Sequence, residues 1–404
     1  MENKIKSQII ENDVDIIVVG AGLVGLSAAI AFAQQGKQVL VVDAKSAEIK
    51  RSELSLSKVW DARIYALTPA TEDWLKALGA WQHVDAMRIS DIHAMHLWHE
   101  GNVSPLIFAD SDANLTKLGV IAENANLMHA LRAKLDALAV PVLAGSACKN
   151  IEYTPTHIRL ILENDAQIKA QLLVAADGVH SFVRQQLNIA TKQKNFAQTA
   201  IVANFLAEKN HDNIARQWFA PHETLALLPL PSQQVSMVWA VSTETATQLL
   251  KLRAQELALQ VAEKSNNLLG ALKPVSEVLS FELQQVTATR LIAERVAFVG
   301  DAAHQIHPMA GQGMNLGVRD VIALQALLAN AHHMQDIGEN TFLRQYERVR
   351  KADIASMNGL TSGLDYLFAS EQGILRKLSG WGMRQLSHQP LIKKVLIKHV
   401  VASY

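Results

Sequence analysis

The sequence predicts an α/β protein: a parallel-sheet domain flanked by helices, interrupted by a mostly antiparallel β-sheet and followed by C-terminal helices. Three observations carry that expectation. A β-branched run, a glycine loop, an apolar helix and a second apolar run follow one another within residues 15–43. Two more apolar runs, far down the chain, end on an acid beside a glycine, at Asp177-Gly178 and Gly300-Asp301. Between those two, residues 195–285 change texture to short segments of strand-like alternation.

Asp15-Ile16-Ile17-Val18-Val19 has the composition of a strand buried on both faces. The loop Gly20-Ala21-Gly22-Leu23-Val24-Gly25 follows at once, and Leu26 to Ala33 reads as a helix closing near Gly36. Gln38-Val39-Leu40-Val41-Val42 is a second strand ending at Asp43. Gly20 permits the tight turn, Gly22 lets backbone approach a pyrophosphate, and Gly25 allows close helix–strand packing. The helix N-terminus offers free N–H groups and a positive dipole end to phosphates. Asp43 can accept from ribose hydroxyls, which argues against a 2′-phosphate there. The unit predicts a dinucleotide ligand but does not by itself separate NAD from FAD.

The second motif, Asp177-Gly178-Val179-His180-Ser181-Phe182-Val183-Arg184, has the form D-G-x-x-S-x-x-R. Taken alone, it also suits an ordinary strand-to-helix turn started by Ser181. The third is more informative. Arg295 to Val299 is a strand closing on Gly300-Asp301, and Pro308-Met309-Ala310-Gly311-Gln312-Gly313-Met314-Asn315 leads into a helix through Arg319 and Asp320. A carboxylate at a strand end can hold a ribityl hydroxyl. Gly311 and Gly313 leave backbone N–H groups bare near a helix N-terminus, aimed at an electron-rich ring.

Together the three motifs resemble the FAD-dependent aromatic hydroxylases, the para-hydroxybenzoate hydroxylase family. The run from Gly300 through Gly317-Val318-Arg319-Asp320 is similar to the ubiquinone-biosynthesis branch of UbiH, UbiF and Coq6 type, and the resemblance extends to residues 346–353. It implies a Rossmann-like FAD-binding domain formed by residues 1–190 and 286–350, a substrate domain at 191–285, and a C-terminal helical region at 351–404. It also implies FAD as cofactor, held by Gly20, Gly22, Gly25, Asp43, Asp177, Gly178, Gly300, Asp301, Met314 and Asn315. Arg63 would lie near the phosphates and Asn124 near the ribose, although a surface arginine and a helix cap account for the same residue types. Pro308, Gly311, Gln312 and Gly313 would form the catalytic loop beside the flavin ring.

The implied reaction is hydroxylation. NAD(P)H reduces the flavin, O₂ adds to give a C4a-hydroperoxide, and a phenolic ring takes the terminal oxygen in a site that excludes water. The substrate implied is a polyprenylated phenol or benzoquinol. Two other readings stay open: a hydroxylase of a small soluble aromatic, and a non-catalytic flavoprotein of a ubiquinone-synthesis assembly. His304 and His307 lie in a loop without a further ligand cluster, so no metal is expected.

In the insertion, residues 199–205, 224–230 and 234–241 read as antiparallel strands, with Leu227, Pro229 and Trp239 as candidates for the lining over the ring. Family members commonly carry a glycine just before the central strand, where this chain has Pro221-His222-Glu223. The apolar and basic stretch at 375–401 suits either a helix on an anionic membrane or one packed on the core.

The chain has 404 residues, 49% of them hydrophobic and 19% charged, which fits two well-buried domains rather than a disordered chain. Lys plus Arg and Asp plus Glu both number 38, so no charge excess invites nucleic acid. Cys148 is the single cysteine, which excludes an internal disulfide and favours a reducing compartment. The polar first fifteen residues do not read as a signal peptide, and no apolar run reaches membrane-spanning length. The expected location is the cytoplasm, with peripheral contact at the inner face of the cytoplasmic membrane.

Overall fold

Ile16 to Val19 are buried, and their strand, Val14–Val19, has a parallel neighbour along each edge. Val39–Asp43 lies on one side and Gln167–Ala175 on the other. Val142–Ala144 extends the sheet beyond Val39–Asp43, and Val296–Phe298 beyond Gln167–Ala175, all in parallel. The computed structural model describes residues 13–46, 60–99, 104–306, 312–332 and 334–369, with residues 393, 394 and 397. The parallel strands come from distant parts of the chain, yet their carboxyl ends gather at one edge. In sheets of this kind that edge is where ligands bind.

The helix Leu23–Gln34 begins three residues earlier than the sequence reading, directly on the glycine loop, and is buried through Phe32. Gln312–Ala329 packs beside it, and Asn340–Ala369 packs on Gln312–Ala329. Asn340–Ala369 is continuous across position 351, where a separate C-terminal region was expected to start.

The antiparallel sheet is wider than the insertion read at 191–285. Thr191–Ala207 is its longest strand, paired with Gln234–Ser242 and Leu279–Ala288. The nine-stranded sheet also recruits Ala94–His99, Leu106–Ala109 and His304–Gln305 from outside that interval. His304 and Gln305 therefore belong at once to the third motif and to this sheet.

Leu227 and Trp239 pack with Leu257 and Val261 of the helix Ala254–Lys264, not over the expected ring position. Both faces of these strands are apolar, so alternation gave no sign of which face was which. The opposite face turns Leu228 and Leu230 towards Ile64 and Ala66. Pro229 is buried in the strand Glu223–Leu230 but belongs to neither cluster. At the turn before that strand, His222 takes the left-handed conformation that glycine would take, with φ of 57°, and its carbonyl accepts from Gln198 Nε2 at 2.9 Å.

Of the C-terminal stretch 375–401, only Lys393, Lys394 and Ile397 are described. Ile397 is buried against the cluster of Ile92, Ile121 and Leu230, and Lys393 Nζ donates to Asp112 Oδ2 at 3.3 Å. Ile397 therefore faces the protein. Among the described residues no helix is long and apolar enough to cross a membrane.

Arg295 locks the lower edge of the parallel sheet. Its buried guanidinium donates to Thr154 O at 3.1 Å, to Gln171 O at 3.0 Å, and to Pro155 O and Asp336. Its backbone sits at φ of 58°. Arg295→Met leaves these carbonyls without their donor and is expected to cost about 3 kcal/mol in a urea titration. A midpoint unchanged from wild type would sink that reading.

Candidate active site at the carboxyl ends of the parallel strands

The gathered strand ends enclose a cavity of about 840 Å³, near the top of the roughly 300–1,000 Å³ range of small-molecule sites. Gly20 to Val24, Asp43, Asp177, Gly178, Asp301, Gly313 and Met314 all line it, so the three motifs share one space. Arg63 and Asn124 line it too.

The glycines divide by what surrounds them. Gly20 stands at φ of 104°, and a Cβ there would lie 2.3 Å from Ala176 O. A Cβ on Gly25 would lie 2.0 Å from Gly20 O. Both are demanded by the fold, whereas Gly22 is different. It has an ordinary extended backbone, and among the described residues no atom beyond its chain neighbours lies within 4 Å of where its Cβ would stand. Gly178 and Gly313 are equally open on the cavity side. Bare backbone facing open space at the start of a helix is the form of a phosphate cradle.

Asp43 docks on the loop, its Oδ2 accepting from the Ala21 amide at 2.5 Å and its Oδ1 from Lys45 N at 2.8 Å. Asp177 Oδ2 accepts from Val183 N at 3.1 Å, while its Oδ1 is buried without a partner among the described residues. Burial pushes the Asp177 carboxyl pKa up, against the Ser181 and Val183 hydrogen bonds that hold it down. Asp301 presents its carboxylate to the cavity. Its pKa is raised by the surrounding protein and by Asp320, with His304 opposing. Ser181 and Arg184 of the second motif are structural. Ser181 Oγ caps the helix Phe182–Gln186 by accepting from Arg184 N at 3.0 Å, and Arg184 Nη1 donates to Ala302 O at 2.9 Å, tying the second motif to the third.

Arg63 stands at the rim, its side chain 44% exposed and its Nε 3.8 Å from Asp61 Oδ1. Asp61 is the hub of that rim. Its Oδ1 accepts from Arg63 N at 2.9 Å, and its Oδ2 from Ala125 N at 3.2 Å at the start of the helix Asn124–Ala137. The capping acceptor is thus Asp61, and Asn124 supplies only a 3.4 Å contact from Nδ2. Glu123, fully buried, takes both Arg88 Nε and Nη2 at 2.6 and 2.7 Å and fixes the Asp61 amide at 2.6 Å.

Asn315 departs from expectation. It does not line the cavity, because its carboxamide is spent on Ala66 O at 2.8 Å and Thr68 N at 3.0 Å. It joins the helix Gln312–Ala329 to the strand Ile64–Leu67. Gly25 and Gly300 are also behind the wall. Pro308 and Gly311 lie outside the described residues, as do His307 and the side chain of Gln312, whose backbone opens the helix. Among the described residues no group of three or more His, Cys, Asp or Glu is placed to hold a metal ion.

Three wall residues carried no sequence signal. Tyr65 has its phenol pKa pushed up to about 12 by burial, with Asp301 adding to the effect. Gln305 has a buried Oε1 without a partner among the described residues. Cys148 is also pushed up to about 12, by burial and then by Asp177 and Asp43.

Residues 13–358 match the family model described as FAD binding domain. The chain belongs to that family. It is 30% identical over 395 residues to the ubiquinone hydroxylase UbiL of Rhodospirillum rubrum, covering 96% of this chain and 90% of that protein. It is 31% identical to the 3-demethoxyubiquinol 3-hydroxylase of Escherichia coli, covering 96% and 98%. A solved p-nitrophenol 4-monooxygenase from Pseudomonas putida superposes with a TM-score of 0.78 at 16% identity, covering 96% and 98%. The chain is an FAD-dependent monooxygenase, and the cavity fits that cofactor. Open glycine backbone, acids at the strand ends and an Asp177 oxygen without a partner among the described residues suit a long ligand rich in hydroxyls and phosphates.

Gly22→Ala should therefore leave folding intact but weaken FAD by about tenfold or more in a flavin-fluorescence titration. Gly25→Ala should compromise the fold itself. Equal FAD affinity in Gly22→Ala would remove the loop from the cofactor site.

Proposed function

We propose that this monooxygenase hydroxylates the ring of a hydrophobic, prenylated phenol or quinol in ubiquinone synthesis, using O₂ and electrons from NAD(P)H. The observation that carries this reading is one cavity joining all three motifs, whose lining includes the apolar and aromatic side chains of Ile64, Tyr65, Ile306 and Met314. The relatives named for ubiquinone hydroxylation match nearly the whole chain, which supports the substrate class.

In this proposal Gly20, Gly22 and the N-terminus of Leu23–Gln34 bind the pyrophosphate, and Asp43 the adenosine ribose. Arg63 and Asn124 act at the phosphate and ribose from the rim. Asp301 holds the ribityl chain, and Asp177 with Gly178 borders both the flavin and the passing nicotinamide. The backbone at Gly313 and Met314, at the start of Gln312–Ala329, faces the ring with the positive end of a helix dipole. Bound FAD supplies hydride acceptance and oxygen activation. The chain's part is to orient the ring, stabilise negative charge on it and exclude water. Pro308, Gly311 and Gln312 complete the loop there in this reading. Peripheral contact with an anionic membrane, and with a ubiquinone-synthesis complex, would bring so apolar a substrate to the site.

Purified protein with NAD(P)H and a short-chain prenylphenol is expected to give a product one oxygen atom heavier by mass spectrometry. NAD(P)H oxidation that yields only H₂O₂ with every phenol tried would overturn the substrate assignment. Asp301→Ala should purify colourless; a yellow, fully loaded variant would overturn the ribityl role.

A further inference from the structure

Behind the cavity wall, the turn that presents Asp301 is held by groups the reaction does not touch. Asp320, fully buried in the helix Gln312–Ala329, accepts three hydrogen bonds. Its Oδ2 takes the Gly300 amide at 2.8 Å and His304 Nε2 at 2.7 Å, and its Oδ1 takes Arg350 Nε at 2.6 Å. Arg350 Nη1 then donates to Asp353 Oδ2 at 2.5 Å, and Arg319 Nη1 to Asp353 Oδ1 at 3.1 Å. Two carboxylates face two guanidiniums, and His304 adds a hydrogen bond to Asp320 through Nε2.

Nothing in this cluster lines the cavity. Burying ions is costly, and well-packed apolar side chains often replace such a cluster without loss of stability, so what it contributes here is geometry. Gly300 sits at φ of 59°, and its amide is fixed by Asp320. Asp301 comes next and opens on the cavity. Ala302 O is held by Arg184 at 2.9 Å, and His304 is held by Asp320 and paired with Thr287 of the antiparallel sheet. Asp301 is thus bracketed by anchors on both sides. The same carboxylate belongs to the helix whose first turn faces the cavity.

We propose that His304, Asp320 and Arg350 are positioning residues: through the Gly300 backbone they set Asp301 relative to the first turn of Gln312–Ala329, and so set how tightly FAD is held. This rests on the ribityl role of Asp301 proposed above.

The test measures FAD dissociation by flavin fluorescence, together with the thermal midpoint of each apoprotein. His304→Ala is expected to weaken FAD about tenfold, and His304→Gln, whose carboxamide N–H can replace Nε2–H, to return within about twofold of wild type. Arg350→Lys keeps the charge but loses the fork, and should weaken FAD by a similar factor, which provides the test if His304→Ala does not fold. Wild-type FAD affinity in His304→Ala or in Arg350→Lys overturns the proposal. So does a His304→Gln variant as weak as His304→Ala when both apoproteins melt like wild type. Asp301→Ala separates the two failures. If it retains FAD, the ribityl assignment falls; if it loses FAD while His304→Ala binds normally, only the positioning role falls.

Discussion

The approach of the Gly20 backbone to Ala176 governs the whole site. Two strands from distant parts of the chain come together so closely that a methyl group on Gly20 would overlap the Ala176 carbonyl, just before the second motif. The same loop turns back until Gly25 rests on the Gly20 carbonyl. This packing puts the first turn of the helix Leu23–Gln34 over the ends of the parallel strands, and every later contribution to the cavity is placed against it. Interiors of this density transmit displacement instead of absorbing it. A shift at Gly20 would therefore reach Asp177, and through Arg184 the carbonyl of Ala302.

Acids of the site divide into two kinds. Asp320 and Glu123 are fully buried and saturated by arginine and backbone donors, and they act as scaffolding. Among the described residues Asp177 keeps an oxygen unclaimed and Asp301 keeps a face open to the cavity, and the surrounding protein raises both pKa values. A carboxylate short of partners in a low-dielectric wall gains most from a ligand that brings its own hydroxyl donors. The ion pairs of Asp320 and Glu123 thus lie behind the wall, while Asp177 and Asp301 lie on it.

Where backbone geometry admits one residue type, the chain could be read directly. Gly20 and Gly25 stood out because a turn and a tight contact exclude side chains, Gly22 because it leaves backbone bare between them, and Asp43 and Asp301 because they close apolar strands. Faces of the antiparallel strands could not be read, since both are apolar, and Leu227 and Trp239 turned out to pack under Ala254–Lys264. His222 fills a left-handed position usually given to glycine, so the turn carried no glycine to mark it. Tyr65 and Gln305 gained their place from tertiary packing alone. The union of His304, Asp320 and Arg350 depends on how two helices cross a turn, which no local pattern encodes. Asn315 lay within the expected motif, but its carboxamide serves the strand behind it.

The pairing of His304 and Gln305 with Thr287 and Val286 gives the two sheets a common seam beside the cofactor cavity. Rocking of the antiparallel sheet cannot proceed as a free swing about a distant linker, because it would pull on the turn that carries Asp301. Displacement of the antiparallel sheet at Thr287 and displacement of the Gly300–Ala302 turn are thus linked through His304. Whatever strains that sheet at Thr287 is therefore felt at the wall of the cavity that carries Asp301.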